Sequence, residues 1–177
     1  DVVNDTNDFL VSNIIPDFVS LSDLRFILTS LIREKISIKD ITYIFEKIND
    51  FAQETTKSDL IKKIRLSLSK QICKYYKNTD GVISAFEISD KTLDKFMPNF
   101  DESDDAIIRI DAGFAETLAE KISKKMVQFN IDNPKLLVPL EFRHLIFTLL
   151  SSYLNNITVL SREEIGCNAQ IEIISEI

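Results

Sequence analysis

Asn78-Thr-Asp-Gly-Val-Ile-Ser-Ala-Phe-Glu-Ile88 is the stretch on which the reading of the fold turns. Its first four residues are a turn signal, and Val82 to Ile88 read as a strand. Upstream of the turn, apolar residues recur at helical spacing; downstream, short strands and helices alternate. The predicted fold class is therefore α+β: a helical bundle subdomain followed by a small α/β subdomain with a short mixed sheet.

Working back from Asn78, three helices mark their own starts. Ser20-Leu-Ser-Asp23, Ser37-Ile-Lys-Asp40 and Thr56-Lys-Ser-Asp59 each set a hydroxyl three residues before an acid, the spacing of a near-capping box. Behind them run the apolar series Leu24, Ile27, Leu28, Leu31, Ile32, then Ile41, Ile44, Phe45, Ile48, then Leu60, Ile61, Ile64, Leu68, Ile72. Each forms one stripe of a helix, and short connections such as Glu34 to Ser37 favour neighbouring helices in a bundle.

Working forward from Ile88, the pattern gives a short helix at Lys91 to Met97, an acidic loop Asp101-Glu-Ser-Asp-Asp105 and a strand at Ile107 to Ile110. A long helix from about Ala112 to Phe129, a strand Lys135 to Val138 and a helix opened by Pro139 and running to about Leu154 follow. Strands at Ile157 to Leu160 and Ile171 to Ile174 complete the series.

A chain of 177 residues with 45% hydrophobic and 28% charged side chains has enough material for a sizeable core. Its net charge of −7 works against nucleic acid or an anionic membrane as a bulk partner. No apolar run reaches the ~20 residues of a membrane helix. Cys73 and Cys167 lack metal-ligand spacing and read as reduced thiols.

Little in the sequence points to catalysis. His144 is the only histidine, and it reads as a surface or packing residue. Gly81, Gly113 and Gly166 are isolated, so neither a phosphate loop nor a dinucleotide fingerprint can be assembled. The carboxylates around Asp101 to Asp105 lack the calcium-loop arrangement. No enzymatic activity, cofactor or metal is expected. The strongest local anomaly is the third helix, where Lys57, Lys62, Lys63, Arg65, Lys70, Lys74 and Lys77 face one acid, Asp59. Lys62, Arg65, Lys70 and Lys74 are the candidate protein-binding residues, steering an acidic surface on a neighbouring subunit or docking protein; a merely solvated face is the alternative. The phenylalanines, Phe26 and Phe129 among them, read mostly as core, and any found exposed would be binding anchors.

Several short patterns occurring in one order carry a resemblance. They are Ile38, Asp40 and Ile41 at a helix start; Arg65, Leu68, Lys70, Gln71, Ile72 and Tyr76 in the basic helix; Arg143; and Val159-Leu-Ser-Arg-Glu-Glu-Ile165. Together they resemble the C-terminal part of the cytoplasmic domain of the type III secretion export-gate family, which includes LcrD, FlhA, InvA and MxiA, nearer to the injectisome branch. Lys39 and Lys70 stand where that family usually has arginine.

The resemblance implies residues 1–17 as the tail of a preceding subdomain, 18–79 as the helical third subdomain and 80–177 as the α/β fourth. It further implies a homo-oligomer, a nonameric ring in the full-length protein, docking export chaperone–cargo complexes, the ATPase stalk protein and a gatekeeper protein. On this reading the chain is a fragment facing the cytoplasm, joined to the bacterial inner membrane only through a missing N-terminal half. The alternative is a free-standing helical interaction adaptor outside secretion.

Overall fold

Ser20 starts the first helix by accepting the Asp23 N–H on its hydroxyl oxygen at 3.1 Å, as its spacing predicts. This helix is α1, Leu21–Arg33. The computed structural model describes residues 20–51, 57–96 and 112–177, and its contacts divide the chain into two compact units, Asp1–Ile72 and Cys73–Ile177. The predicted acidic loop, the strand at Ile107 to Ile110, the Thr56 cap and the segment 1–17 lie outside the described residues.

In the first unit α1 ends at Lys35, whose φ of 59° is left-handed. The Ile36 N–H reaches back to the Leu31 carbonyl and the Lys35 N–H to that of Ile32, both at 2.9 Å, while Leu31 and Ile36 are buried. That is a Schellman stop made with lysine where glycine is usual. Helix α2, Ile41–Phe51, starts differently from expectation. Asp40, not Ser37, accepts the Tyr43 N–H, because the carboxylate itself occupies the cap; Ser37 accepts the Lys39 N–H in the preceding turn.

The basic segment is two helices, α3 (Lys57–Ser67) and α4 (Ser69–Tyr76). At the break the Ser67 hydroxyl bonds back to the Lys63 carbonyl at 3.0 Å, and the Tyr43 hydroxyl of α2 donates to the Ser67 carbonyl at 3.3 Å. A carbonyl engaged from outside helps account for the missing helical continuity. Leu24, Ile27 and Leu31 of α1, Ile44, Phe45 and Ile48 of α2, and Leu60, Ile61 and Ile64 of α3 form the buried set of this unit with Leu68 and Ile72. These are the inner faces of the predicted stripes.

The division between units falls inside α4, earlier than the turn at Asn78. From Cys73 onward the helix bonds to later sequence: the Cys73 thiol lies 3.6 Å from the Ile165 carbonyl and Lys77 Nζ 3.4 Å from that of Asn168. The turn is nevertheless built as read. Asn78 Oδ1 accepts the Asp80 and Val82 N–H groups, and Gly81 adopts a φ of 80° that favours glycine.

The second unit holds strands β1 (Val82–Glu87), β2 (Lys135–Leu137), β3 (Thr158–Leu160) and β4 (Gln170–Glu176) in the order β3-β2-β1-β4. Every pairing among the described strands is parallel, where a mixed sheet was expected. The reason lies in the connections. Each pair of successive strands is separated by helix, α5 (Asp90–Phe96) and α6 (Ala112–Phe129), then α7 (Arg143–Leu150) after a 3-10 turn, then α8 (Arg162–Ile165), and such crossovers return the chain in the same direction. Phe86, Leu136 and Val159 pack with Leu118 and Ile122 of α6 and Ile146 and Leu150 of α7. Ile83, Ala85, Leu137 and Leu160 at the alternate positions are buried too, the pattern of a parallel sheet covered on both faces.

Candidate functional site

The predicted binding residues do not share one exposed face. Arg65 is buried, with Nη1 2.9 Å from Glu34 Oε2, itself buried at the end of α1. The correction has a plain cause: Arg65 follows Ile64 on the inner side of α3, and its charge is held there by a carboxylate 31 residues away in sequence. Lys62 is half-buried and pairs with Asp59 at 3.0 Å. Lys63 Nζ lies 5.5 Å from the centre of the Phe51 ring. Lys70 and Lys74 are exposed one turn apart on α4. Tyr75 beside them is 69% exposed and meets Tyr76 edge-on.

A second surface of the first unit was hidden by hydrophobicity itself. On α1, Leu21, Phe26 and Ile32 are 68%, 49% and 54% exposed, among exposed Arg25 and Arg33. Phe26 and Ile32 read as core in sequence. Helical geometry places them outside the Leu24, Ile27 and Leu31 stripe, on its opposite flanks, with exposed Arg25 and Arg33 between them. Phe129, the other misread phenylalanine, is partly exposed and lies 6.2 Å from Phe86 between ring centres.

In the second unit the carboxyl ends of β1, β2 and β4 open into a groove of about 580 Å³. Ile88, Leu93, Leu137, Val138 and Pro139 contribute its apolar lining; Glu87, Asp90, Glu163 and Glu176 are its acids, Lys91 and Arg162 its bases. Arg162 is engaged, with Nη2 2.6 Å and Nε 2.9 Å from Glu87 Oε1. Among the described residues, Asp90, Glu163 and Glu176 have no ion pair. Crevices at the carboxyl ends of parallel strands are the usual ligand positions of such sheets.

Below the groove runs the Val159-Leu-Ser-Arg-Glu-Glu-Ile165 pattern, and each residue has a place. Val159 and Leu160 close β3 in the core, and Ser161 caps α8 by accepting the Glu164 N–H at 3.1 Å. Glu164 returns one oxygen to the Ser161 N–H at 3.3 Å and sets the other 3.1 Å from Arg143 Nε. Ile165 is fully buried. The Ser-x-x-Glu spacing is that of a capping box, a signal present in the sequence.

His144 is half-buried on α7 beside Arg143. Among the described residues no group of three or more histidine, cysteine or acidic side chains could hold a metal. No described helix is long and apolar enough to cross a membrane.

Residues 1–170 match the profile of the FHIPEP family. The flagellar biosynthesis protein FlhA of Bacillus subtilis is 24% identical over 176 residues, 97% of this chain and 26% of that protein. The low calcium response locus protein D of Yersinia pestis is 25% identical over 158 residues, 87% of this chain and 22% of that protein. Flagellar biosynthesis proteins and low calcium response locus proteins are thus both among its relatives.

Among solved structures, the Shigella flexneri MxiA protein superposes with a TM-score of 0.85 at 22% identity, covering 99% of this chain and 56% of that one. Nonameric EPEC SctV-C gives 0.85 at 19%, covering 99% and 54%. The Chlamydia pneumoniae CdsV and CdsO complex gives 0.83 at 20%, covering 98% and 51%. The chain spans about a quarter of the curated relatives' length and about half of the solved chains.

Proposed function

The chain belongs to the FHIPEP family, the export-gate proteins of type III secretion, and on that premise we propose that it is part of a ring-forming cytoplasmic region that receives soluble secretion partners. The observation that carries this reading is the outer face of α1. Leu21, Phe26 and Ile32 are large apolar side chains held in water by a helix whose opposite face is already packed. Their occupant is a second copy of the chain, since nonameric assembly of a similar fold supports a subunit contact of this kind. Arg25 and Arg33 lie on the exposed face between Phe26 and the edge formed by Leu21 and Ile32, and suit acidic groups on the facing surface, in a chain of net charge −7.

Docking of export chaperones, cargo, the stalk protein and a gatekeeper protein belongs to the same reading. The complex of CdsV with CdsO supports it for one partner protein. The work proposed is binding, without catalysis; among the described residues a lone half-buried histidine and isolated glycines offer no convergent acid, base and nucleophile. Attachment to the inner membrane would come from sequence outside the described residues.

The test is sedimentation velocity of the chain with Phe26→Ser and Ile32→Ser. Both side chains are exposed, so the thermal midpoint should hold while association falls. Unchanged association at unchanged stability would reject α1 as the contact.

A further inference from the structure

We propose that Lys74 and Tyr75, at the end of α4, dock into the acidic groove of a second copy of the same chain. The inference rests on the ring reading and adds a second contact to it.

Both surfaces belong to the second unit, at opposite ends of its central strand. The end of α4 lies near the start of β1, where the Asn78 N–H bonds to the Val82 carbonyl and the Gln170 N–H to that of Gly81. The groove lies past Glu87, where β1 ends. A six-residue strand separates them, about 20 Å. One copy therefore cannot satisfy its own groove by a short movement. A second copy can, and a contact joining one end of a unit to the other end of its neighbour is heterologous: repeated, it closes a ring or grows a filament.

The chemistry of the two ends is complementary. The groove offers an apolar floor and the carboxylates of Asp90, Glu163 and Glu176, in excess over its own bases, Lys91 and the Arg162 held by Glu87. Its volume of about 580 Å³ is within the range that encloses a small-molecule-sized group, ample for one aromatic ring. Tyr75 supplies such a ring, largely exposed and steadied by the edge-on contact with Tyr76, with ring centroids 4.9 Å apart. Exposed Lys74 beside it supplies the cation. In a chain of net charge −7, exposed Lys70, Lys74 and Lys77 make the end of α4 locally basic and suited to a carboxylate-rich groove. A buried aromatic anchor with a charged neighbour is the usual composition of an energetic centre in an interface.

The test uses the full chain in sedimentation velocity, with circular dichroism to follow the fold. Lys74→Glu, Tyr75→Ala and Glu163→Lys should each weaken self-association about tenfold or more at unchanged thermal midpoint, because all three side chains are exposed. The double variant Lys74→Glu/Glu163→Lys should recover association to within a few-fold of wild type. Equimolar mixing of the two single charge variants should also recover association between unlike copies, since each then meets an opposite charge on the other, while a closed ring of odd number keeps one mismatched contact. Single variants that associate like wild type, or charge variants that neither the double variant nor mixing rescues, overturn the inference. So does a wild-type chain with no association to lose. Loss with Phe26→Ser alone, while Lys74→Glu is silent, would leave the α1 ring contact standing and sink only this one.

Discussion

Arg143 Nε lies 3.1 Å from Glu164 Oε1, and both side chains are sealed from solvent. The pair ties α7 to α8 across the end of β3, and the same glutamate caps the helix it belongs to. Burying either charge alone would cost several kcal/mol, so each holds the other in place. The Arg143 and Val-Leu-Ser-x-x-Glu-Ile resemblances are thus one structural bracket.

Arg143→Met or Glu164→Gln should lower unfolding stability by about 3–5 kcal/mol, because one buried partner is left uncompensated. Replacing both with apolar residues should cost much less than the sum. Urea denaturation followed by circular dichroism checks this. Single variants within about 0.5 kcal/mol of wild type would show the pair to be incidental.

Arg65 and Lys70 make a matched pair of tests on the basic segment. Arg65→Ala should destabilise by about 3–5 kcal/mol by stranding Glu34 in the core. Lys70→Ala, at an exposed position, should stay within about 0.5 kcal/mol. Equal effects in thermal or urea unfolding would contradict the separation of these two residues.

Lys35 holds a left-handed conformation that glycine adopts without strain. Lys35→Gly should therefore stabilise the first unit by up to about 1 kcal/mol, with its greater unfolded-state entropy offsetting part of the gain. A clear loss of stability in urea would mean that the lysine side chain contributes more than its backbone strain costs.

Burial lowers the Lys135 pKa from its ordinary 10.5. Near neutral pH the group is charged in both states, and the folded state carries the desolvation penalty. That penalty is relieved as pH rises through the lowered folded value toward 10.5, so stability from this residue increases with pH in that window. Lys135→Met should stabilise the protein at neutral pH and lose its advantage above pH 10.5. A gain that persists undiminished at high pH would assign the effect to packing instead.

The helical stripes were legible because burial follows the 3.6-residue period: Ile44, Phe45 and Ile48 are inside, as are Ile61, Ile64, Leu68 and Ile72. Hydropathy does not place an apolar residue at the margin of a stripe, and so Phe26 and Ile32, on the flanks of the buried face of α1, read as core. Arg65 misled for the opposite reason. A charge in a basic run reads as solvated unless its distant partner, Glu34, is known. Sheet direction depends on long-range pairing, although helices between successive strands already favour parallel neighbours. The groove was illegible because β1, β2 and β4 bring Glu87, Leu137 and Glu176 together only once the strand order is set.

Native mass spectrometry of the assembled chain, with and without Phe26→Ser/Ile32→Ser, tests the ring account most directly. The account predicts a dominant ninefold species for the wild-type chain and its loss in the variant, with the subunit still folded. A wild-type chain that is monomeric at every concentration, or a ninefold species untouched by the double substitution, would contradict it.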